Sequence, residues 1–280
     1  MKDLITFHTV KSLQSFLISE RGDSNVGLVP TMGALHHGHL ALVEKAVQLC
    51  DIVVVSIFVN PTQFNNSSDL EKYPRPLAND IELLKKAGNV IVFTPSVDDM
   101  YPKDHVAAKV DLGKLANVME GKFRPGHFDG VVNVVKRLFD IVLPEMAFFG
   151  LKDFQQLAVI NEMTNQLKLS TIIYPCQIVR EPSGLASSSR NYRLSQVEQD
   201  EAAIIYRVLT EAKELSRVKP ISDVRVYVAD ELKKSKLELE YFDIVDPTDL
   251  QSIDDWKSGA HACLAAFSGD VRLIDNMQLR

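Results

Sequence analysis

Cysteine is scarce, three in 280 residues. Cys50, Cys176 and Cys263 are odd in number, far apart and in no Cys-x-x-Cys pair, which argues for a reducing compartment and against a metal cluster. Basic charge is not in excess: 31 Lys and Arg face 37 Asp and Glu, a net charge of -6. That argues against a nucleic-acid partner while leaving room for a local basic pocket. Long hydrophobic runs are missing. The longest, Ile52 to Val59, is interrupted by Ser56 and is far too short to span a bilayer, so no membrane partner is expected. Met1-Lys2-Asp3-Leu4 begins no signal peptide, because no apolar segment follows, and the cytoplasm is the expected compartment. Internal repeats and low-complexity tracts are also lacking. What is there is an ordinary globular composition, 46% hydrophobic and 24% charged, in a chain long enough for one large or two modest domains.

The most informative stretch is Pro30-Thr31-Met32-Gly33-Ala34-Leu35-His36-His37-Gly38-His39. Asn25 to Val29, before it, is a short apolar run that predicts a buried strand. After it Leu40, Leu42, Val43, Ala46, Val47 and Leu49 recur at helical spacing up to Cys50. The stretch is therefore a strand-to-helix turn, where open α/β sheets bind ligands and where unpaired N–H groups favour an anion. Gly33 and Gly38 let a ligand approach the main chain. His36 and His39, one helical turn apart, fall on one side and can donate to a phosphate. A His-rich turn can also bind a metal; the strand before and the helix after favour the phosphate.

His36-x-Gly38-His39 after a first strand resembles the signature of the nucleotidylyltransferase superfamily. The longer string Pro30 to His39 resembles the pantothenate synthetase (pantoate–β-alanine ligase) family. Four more stretches match that family in order. Asn60-Pro61-Thr62-Gln63-Phe64 by itself reads as a turn; the resemblance makes Gln63, with Asn60, a contact to pantoate and β-alanine, which an amide can serve as donor or acceptor. Glu120 to Phe128 reads as a loop marked by Gly121, Pro125 and Gly126. Arg124 and His127 give it positive character and, by resemblance, substrate contacts. Gly150-Leu151-Lys152-Asp153-Phe154-Gln155-Gln156 repeats the strand–turn–helix pattern, with Gln156 one helical turn from Lys152 on the same face. Ser187-Ser188-Ser189-Arg190-Asn191 is similar to the superfamily's second, mobile signature, which closes on a triphosphate; a Ser-rich linker is the other reading, but a linker does not need the Arg-Asn ending.

Three positions depart from the family pattern: Leu151 stands for Glu, Ser187 for Met, and Asn79 for one of two acidic residues. The remaining acid, Asp80, is the one candidate metal contact on the protein. Mg²⁺ is expected mainly on ATP oxygens.

The expected fold class is α/β, with a Rossmann-like parallel sheet over residues 1–177 and a smaller α+β cap domain over 178–280. Ile52 to Val59 is a buried parallel strand. Asn79 to Ala87, Lys11 to Glu20 and Asp129 to Val142 are helices, and Ala107 to Leu112, Thr171 to Tyr174 and Gln177 to Arg180 further strands. Ser195 and Glu198 form a capping box opening a helix to about Leu215, followed by a helix at Ser222 to Lys234. Leu237 to Val245, Ala260 to Phe267 and Val271 to Asp275 are the last strands; Trp256 and Cys263 are core, and His261 is structural.

The resemblance implies an ATP-dependent ligase. Pantoate's carboxylate attacks the α-phosphorus of ATP, giving pantoyl adenylate and pyrophosphate; β-alanine's amine then displaces AMP. By the same resemblance His36, His39, Lys152 and Arg190 are catalytic, His39 donating a proton toward the leaving pyrophosphate. ATP is held by Met32, Gly33, Ala34, Leu35, His36, His37, Gly38, His39, Gly150, Leu151, Lys152, Asp153, Val179, Ser187, Ser188, Ser189 and Arg190. The implied assembly is a homodimer. Two other readings share the turn: a different nucleotidylyltransferase, and a non-catalytic nucleotide-binding protein.

Overall fold

The computed structural model describes residues 4–280, so the expectation about Met1, Lys2 and Asp3 lies outside it. In chain order the first elements are β1 (Thr6–Phe7), α1 (Val10–Glu20), β2 (Val26–Thr31), α2 (His37–Leu49), β3 (Ile52–Ile57), α3 (Ser67–Lys72), α4 (Leu77–Ala87) and β4 (Ile91–Phe93). Next come α5 (Val97–Met100), α6 (Met119–Phe123), α7 (His127–Val142), β5 (Met146–Gly150), α8 (Phe154–Gln166) and β6 (Ile172–Cys176). The last are α9 (Gln196–Ala202), α10 (Ile204–Ser216), α11 (Ile221–Lys233), β7 (Glu238–Val245), β8 (His261–Ser268) and β9 (Val271–Gln278).

The chain divides into two compact units. One holds the described residues up to Leu112, then Arg124–Leu151 and Gln156–Gln177; the other holds Gly113–Phe123, Lys152–Gln155 and Ile178–Arg280. The sequence places all of 1–177 in a single domain. Two short excursions depart from that, and both are tied by side chains to the later part of the chain, as described below.

In the first unit six strands form one parallel sheet in the order β1-β4-β3-β2-β5-β6. β3 is nearly all β-branched, and Val53, Val54 and Val55 are buried, as a strand covered on both faces requires. The strand order reverses at β2, so β2 and β5 flank the topological switch point, with carboxyl ends at Thr31 and Gly150. Val29, Leu35, Val43, Val55, Val92 and Phe148 build the core there. Helix α7 buries Phe128, Val131, Val132, Val135, Leu138, Phe139 and Val142 on the face its spacing predicts.

In the second unit β7, β8 and β9 form an antiparallel sheet, and its core joins Ile205, Leu209, Val224 and Val228 of α10 and α11 to Ala262, Leu264 and Leu273 of the strands. Ser195 accepts from the Glu198 N–H while the Glu198 carboxylate accepts from the Ser195 N–H, so the expected capping box is present.

Several local expectations change. Residues 107–112 form no strand, and neither do 177–180, apart from an antiparallel bridge between Arg180 and Ala186. Instead β6 runs through Pro175, which is tolerated because β6 is the sheet's edge. The helix after Ser195 is interrupted at Ala203. Glu120 to Phe123 lies in α6 rather than in a loop. Trp256 is only partly buried: its Nε1 donates to the Lys219 carbonyl at 2.7 Å, and the Arg280 guanidinium lies 4.7 Å above its ring.

Candidate functional site

The turn after β2 is built around an acid brought from α4. The Asp80 carboxylate accepts from the Ala34 N–H at 2.9 Å and the Leu35 N–H at 2.8 Å, one per oxygen. Gly33 and Ala34 both take positive φ, 78° and 49°, and a Cβ on Gly33 would meet Asp80 Oδ2 at 3.0 Å, so a side chain there would crowd the carboxylate as well as strain the backbone. The Gly33 N–H donates to Thr31 Oγ1, whose hydroxyl donates to the Ser56 carbonyl. The main-chain donors of residues 33–35 are therefore turned inward, and Ala34 and Leu35 are buried. This corrects two expectations. Ala34 and Leu35 do not offer open N–H groups to a phosphate, and Asp80, 1% exposed, organises the turn instead of presenting its oxygens to a metal. Burial pushes the Asp80 carboxyl above its ordinary range, opposed by the N–H groups of Leu35 and Ala34. Its neighbour Asn79 is exposed.

With the inner donors occupied, what the turn presents is imidazole. His36 is the N-cap of α2; its Nδ1 accepts from the Gly38 N–H at 3.1 Å, which leaves the neutral ring's proton on Nε2. The rings of His36 and His39 lie 4.0 Å apart between centroids, so helical spacing has brought them together as expected. Both, with Met32 and Gly38, are half-buried, whereas His37 is exposed.

After β3, Asn60 and Gln63 form the second part of the same unit. Asn60 is fully buried. Its Nδ2 donates to the Gly130 carbonyl and to Gln63 Oε1, and its Oδ1 accepts from the Thr62 N–H and Oγ1 and from the Tyr101 hydroxyl. Asn60 is thus consumed by the scaffold and not open to substrate, contrary to the sequence expectation. Its effect falls on Gln63, whose oxygen is engaged and whose two N–H donors remain to meet an acceptor. His127 is buried too; its Nδ1 donates to the Gln63 carbonyl at 2.8 Å. A Cβ at Gly130 would come within 2.4 Å of the Thr62 carbonyl oxygen, so only glycine lets α7 pass this turn. Arg124 and Gln156 are half-buried, as is Gly150 at the end of β5.

Leu151–Asp153 makes a 3₁₀ turn before α8 begins at Phe154, so Lys152 and Gln156 are not on one regular helical face; Gln156 belongs to the first unit and Lys152 to the second. Burial pushes the Lys152 ammonium below the ordinary lysine range; Arg190 pushes the same way, and Asp153, Asp275 and Glu120 oppose. Lys152 and Arg190 thus share one electrostatic neighbourhood, while Asp153 is exposed. Gln155 explains why residues 113–123 travel with this unit: its Oε1 accepts from the Glu120 N–H, and its Nε2 donates to the carbonyls of Leu115 and Val118. Glu120 accepts a two-pronged pair of bonds from Arg272, each 2.7 Å, and one from the Tyr241 hydroxyl.

The serine segment follows the Arg180–Ala186 bridge. The Ser187 hydroxyl donates to Glu181 Oε1 at 2.6 Å and the Ser187 N–H to the Val179 carbonyl, so this hydroxyl is committed internally rather than to a phosphate. Ser188 caps a 3₁₀ turn, Ser189–Arg193, by accepting from the Arg190 N–H. Asn191 Nδ2 donates to the Ala186 carbonyl. Ser189 and Asn191 are buried; Val179, Ser188 and Arg190 are half-buried.

Sequence reasoning missed Gly130, Tyr101, Gln155 and the polar pair Asp275-Asn276. Gln155 lies inside a motif that singled out its neighbours, and Asp275-Asn276 show as two polar residues breaking the apolar alternation of β9.

A family model described as pantoate–β-alanine ligase matches residues 5–278. The chain belongs to that family. A pantothenate synthetase of Phocaeicola vulgatus is 50% identical over 277 residues, covering 97% of this chain and 98% of the relative. That of Porphyromonas gingivalis is 49% identical over 276 residues, covering 97% and 98%. Among solved structures, the pantothenate synthetase of Thermus thermophilus superposes with a TM-score of 0.93 at 39% identity, covering 99% of each chain. The pantoate–β-alanine ligase of Francisella tularensis, solved in complex with β-γ ATP and β-alanine, superposes with a TM-score of 0.83 at 35% identity, covering 99% of this chain and 98% of that one. The pantoate–β-alanine ligase family thus accounts for both units, including the small antiparallel sheet.

Proposed function

We propose that this chain joins (R)-pantoate to β-alanine at the expense of ATP, through a pantoyl adenylate, releasing pyrophosphate and then AMP. The observation that carries the reading is the match over residues 5–278 to pantoate–β-alanine ligase, which spans every motif used above. In the first step the pantoate carboxylate attacks the α-phosphorus and the bond to pyrophosphate breaks. Negative charge builds on the transferring and leaving oxygens, and His36 Nε2–H, His39, Lys152 and Arg190 are the donors assigned to it. His39 supplies a proton toward pyrophosphate. Gln63, whose amide oxygen is taken by Asn60, and Gln156 hold pantoate oxygens, supported by Arg124 and His127. Ser188, Ser189, Val179, Met32, Gly38, Gly150 and Asp153 complete the assigned ATP contacts. In the second step the β-alanine amine attacks the acyl carbon, and AMP leaves as an already stabilised anion.

Among the described residues no group of three or more His, Cys, Asp or Glu side chains could hold a metal ion. Asp80 is spent on the turn, so the residues present do not make a protein cage for Mg²⁺. The reading places that ion on the ATP oxygens and routes no step through a protein ligand. No helix among the described residues is long and apolar enough to cross a membrane. A homodimer in the cytoplasm is part of the same proposal.

The test is a two-stage assay. Pantoate and ATP–Mg²⁺ should release pyrophosphate without free AMP, and adding β-alanine should then release AMP with pantothenate. Pyrophosphate release that ignores pantoate but follows another acceptor would place the chain with a different nucleotidylyltransferase. No turnover with any acceptor, despite ATP binding, would favour a binding protein.

A further inference from the structure

Lys152 and Arg190 lie in segments far apart in the chain, and both segments are fastened to two successive residues of β9. Asn276 is 5% exposed. Its Nδ2 donates to the main-chain carbonyl of Lys152 at 2.8 Å, and its Oδ1 faces His261 Nε2 at 2.9 Å. A carbonyl can only accept, so the amide's orientation is set, and the His261 ring must carry its proton on Nε2. His261 is itself stacked on Phe154, with centroids 3.8 Å apart and planes at 3°. Asp275, 3% exposed, accepts from Arg180 through both oxygens, at 2.6 and 3.0 Å. Arg180 also donates to the Gly184 carbonyl and lies 4.1 Å over the Tyr206 ring, fixing the bridge that leads into Ser187–Arg190. The Asn276 N–H donates to Asp275 Oδ1, which ties the two clamps together.

We propose that Asn276, supported by His261 and Asp275, is a positioning residue for adenylate formation: it grips the Lys152 main chain so that the ammonium and the Arg190 segment hold a fixed mutual register. The platform is rigid because β9 pairs with β8 along its whole length, with Asn276 opposite Cys263 and Asp275 opposite Leu264. The grip is on the backbone, so the ammonium stays free to meet charge as it develops. The charged groups around that ammonium are Asp153, Arg190, Asp275 and Glu120, and Glu120 is in turn faced by Arg272, which also pairs with Glu240. Burial holds His261 below the ordinary histidine range, so the Asn276 contact is made by a neutral ring at neutral pH. The inference rests on the adenylation reading of Lys152 and Arg190.

The test measures pyrophosphate release from pantoate and ATP–Mg²⁺ by the full chain, from neutral to alkaline pH, with melting temperatures alongside. Asn276→Asp keeps the shape but sets acceptor against acceptor. It should lower kcat by about tenfold or more while KM for ATP stays within about threefold. The added negative charge should also move the alkaline limb of the rate upward, and Asp275→Asn should move it downward, neither of which a merely structural contact would do. An Asn276→Asp enzyme with unaltered kcat and unaltered alkaline limb overturns the proposal. Should Asn276→Asp fail to fold, His261→Gln, whose amide can still donate, is compared with His261→Leu. A larger loss of kcat in the leucine variant supports the grip, and equal rates overturn it. A wild-type chain with no pantoate-dependent pyrophosphate release would overturn the functional reading itself, a result distinct from an active wild type with indifferent variants.

Discussion

The turn after β2 and the turn after β5 leave neighbouring strands of one sheet, yet they are held in opposite ways. The first is closed mainly through its main-chain donors: Asp80, brought from α4, takes the Ala34 and Leu35 N–H groups, Thr31 takes that of Gly33, and His36 caps the helix. The second is tied to the far end of the chain, where Asn276 takes the Lys152 carbonyl, while its own Gln155 organises residues 115–120. The first therefore presents a rigid pair of imidazoles, 4.0 Å apart. The second presents a desolvated cation whose environment is made of charges from three remote segments. Satisfied main-chain donors suit a group that must point; a cluster of remote charges suits a group whose electrostatics must be tuned.

Removing what the first turn presents should give the largest effect. His39→Ala is expected to slow pyrophosphate release by about a thousandfold, some 4 kcal/mol of barrier, with an unaltered circular dichroism spectrum. Near-normal release would show that the pair is not the reactive element. Next comes the acid behind the turn. Asp80→Ala strands two buried N–H groups, and urea unfolding should register a loss of about 2–4 kcal/mol together with lost activity. If stability holds and only Mg²⁺ dependence changes, Asp80 is a metal ligand after all.

A smaller effect separates scaffold from substrate contact. Gly130→Ala drives a methyl into the Thr62 carbonyl, so a destabilisation of about 1–3 kcal/mol should accompany a raised KM for pantoate and an unaltered KM for ATP. Equal changes in both constants would mean that the Gln63 turn does not address pantoate. The smallest effect tests the second turn. Lys152 has a lowered pKa in the folded chain, so the unfolded state binds more protons between that value and the ordinary lysine pKa. Wild-type stability then rises with pH across that window, while that of Lys152→Met does not. At neutral pH the methionine variant should melt slightly higher although it forms no adenylate, and its advantage should shrink as pH rises. A variant that melts lower at every pH would show that the ammonium is not under strain.

How much was legible follows the same division. The glycines, the paired histidines and the flanking periodicities lie within a few residues of one another, and they predicted strand, turn and helix in order. Gln63 could be singled out, but not which end of its amide meets Asn60, because Gly130 and Tyr101 set the Asn60 amide. Asp80 could be singled out as an acid but not as a turn anchor, since a carboxylate at a helix start looks the same in sequence whether it faces water, metal or main chain. Ser187 reads as an ATP contact in the sequence, whereas its hydroxyl donates to Glu181. Asp275 and Asn276 marked the end of a strand in the sequence, whereas they sit inside it.

By itself the chain determined its alternation of strands and helices, its α/β class and the imidazole pair, because backbone angles and side-chain spacing are properties of neighbouring residues. Only the tertiary structure decided which polar groups are spent on the scaffold and which are left to act. A hydrogen bond between residues 124 positions apart has no signature in local pattern, and a buried donor or acceptor declares its partner only when the chain has folded around it.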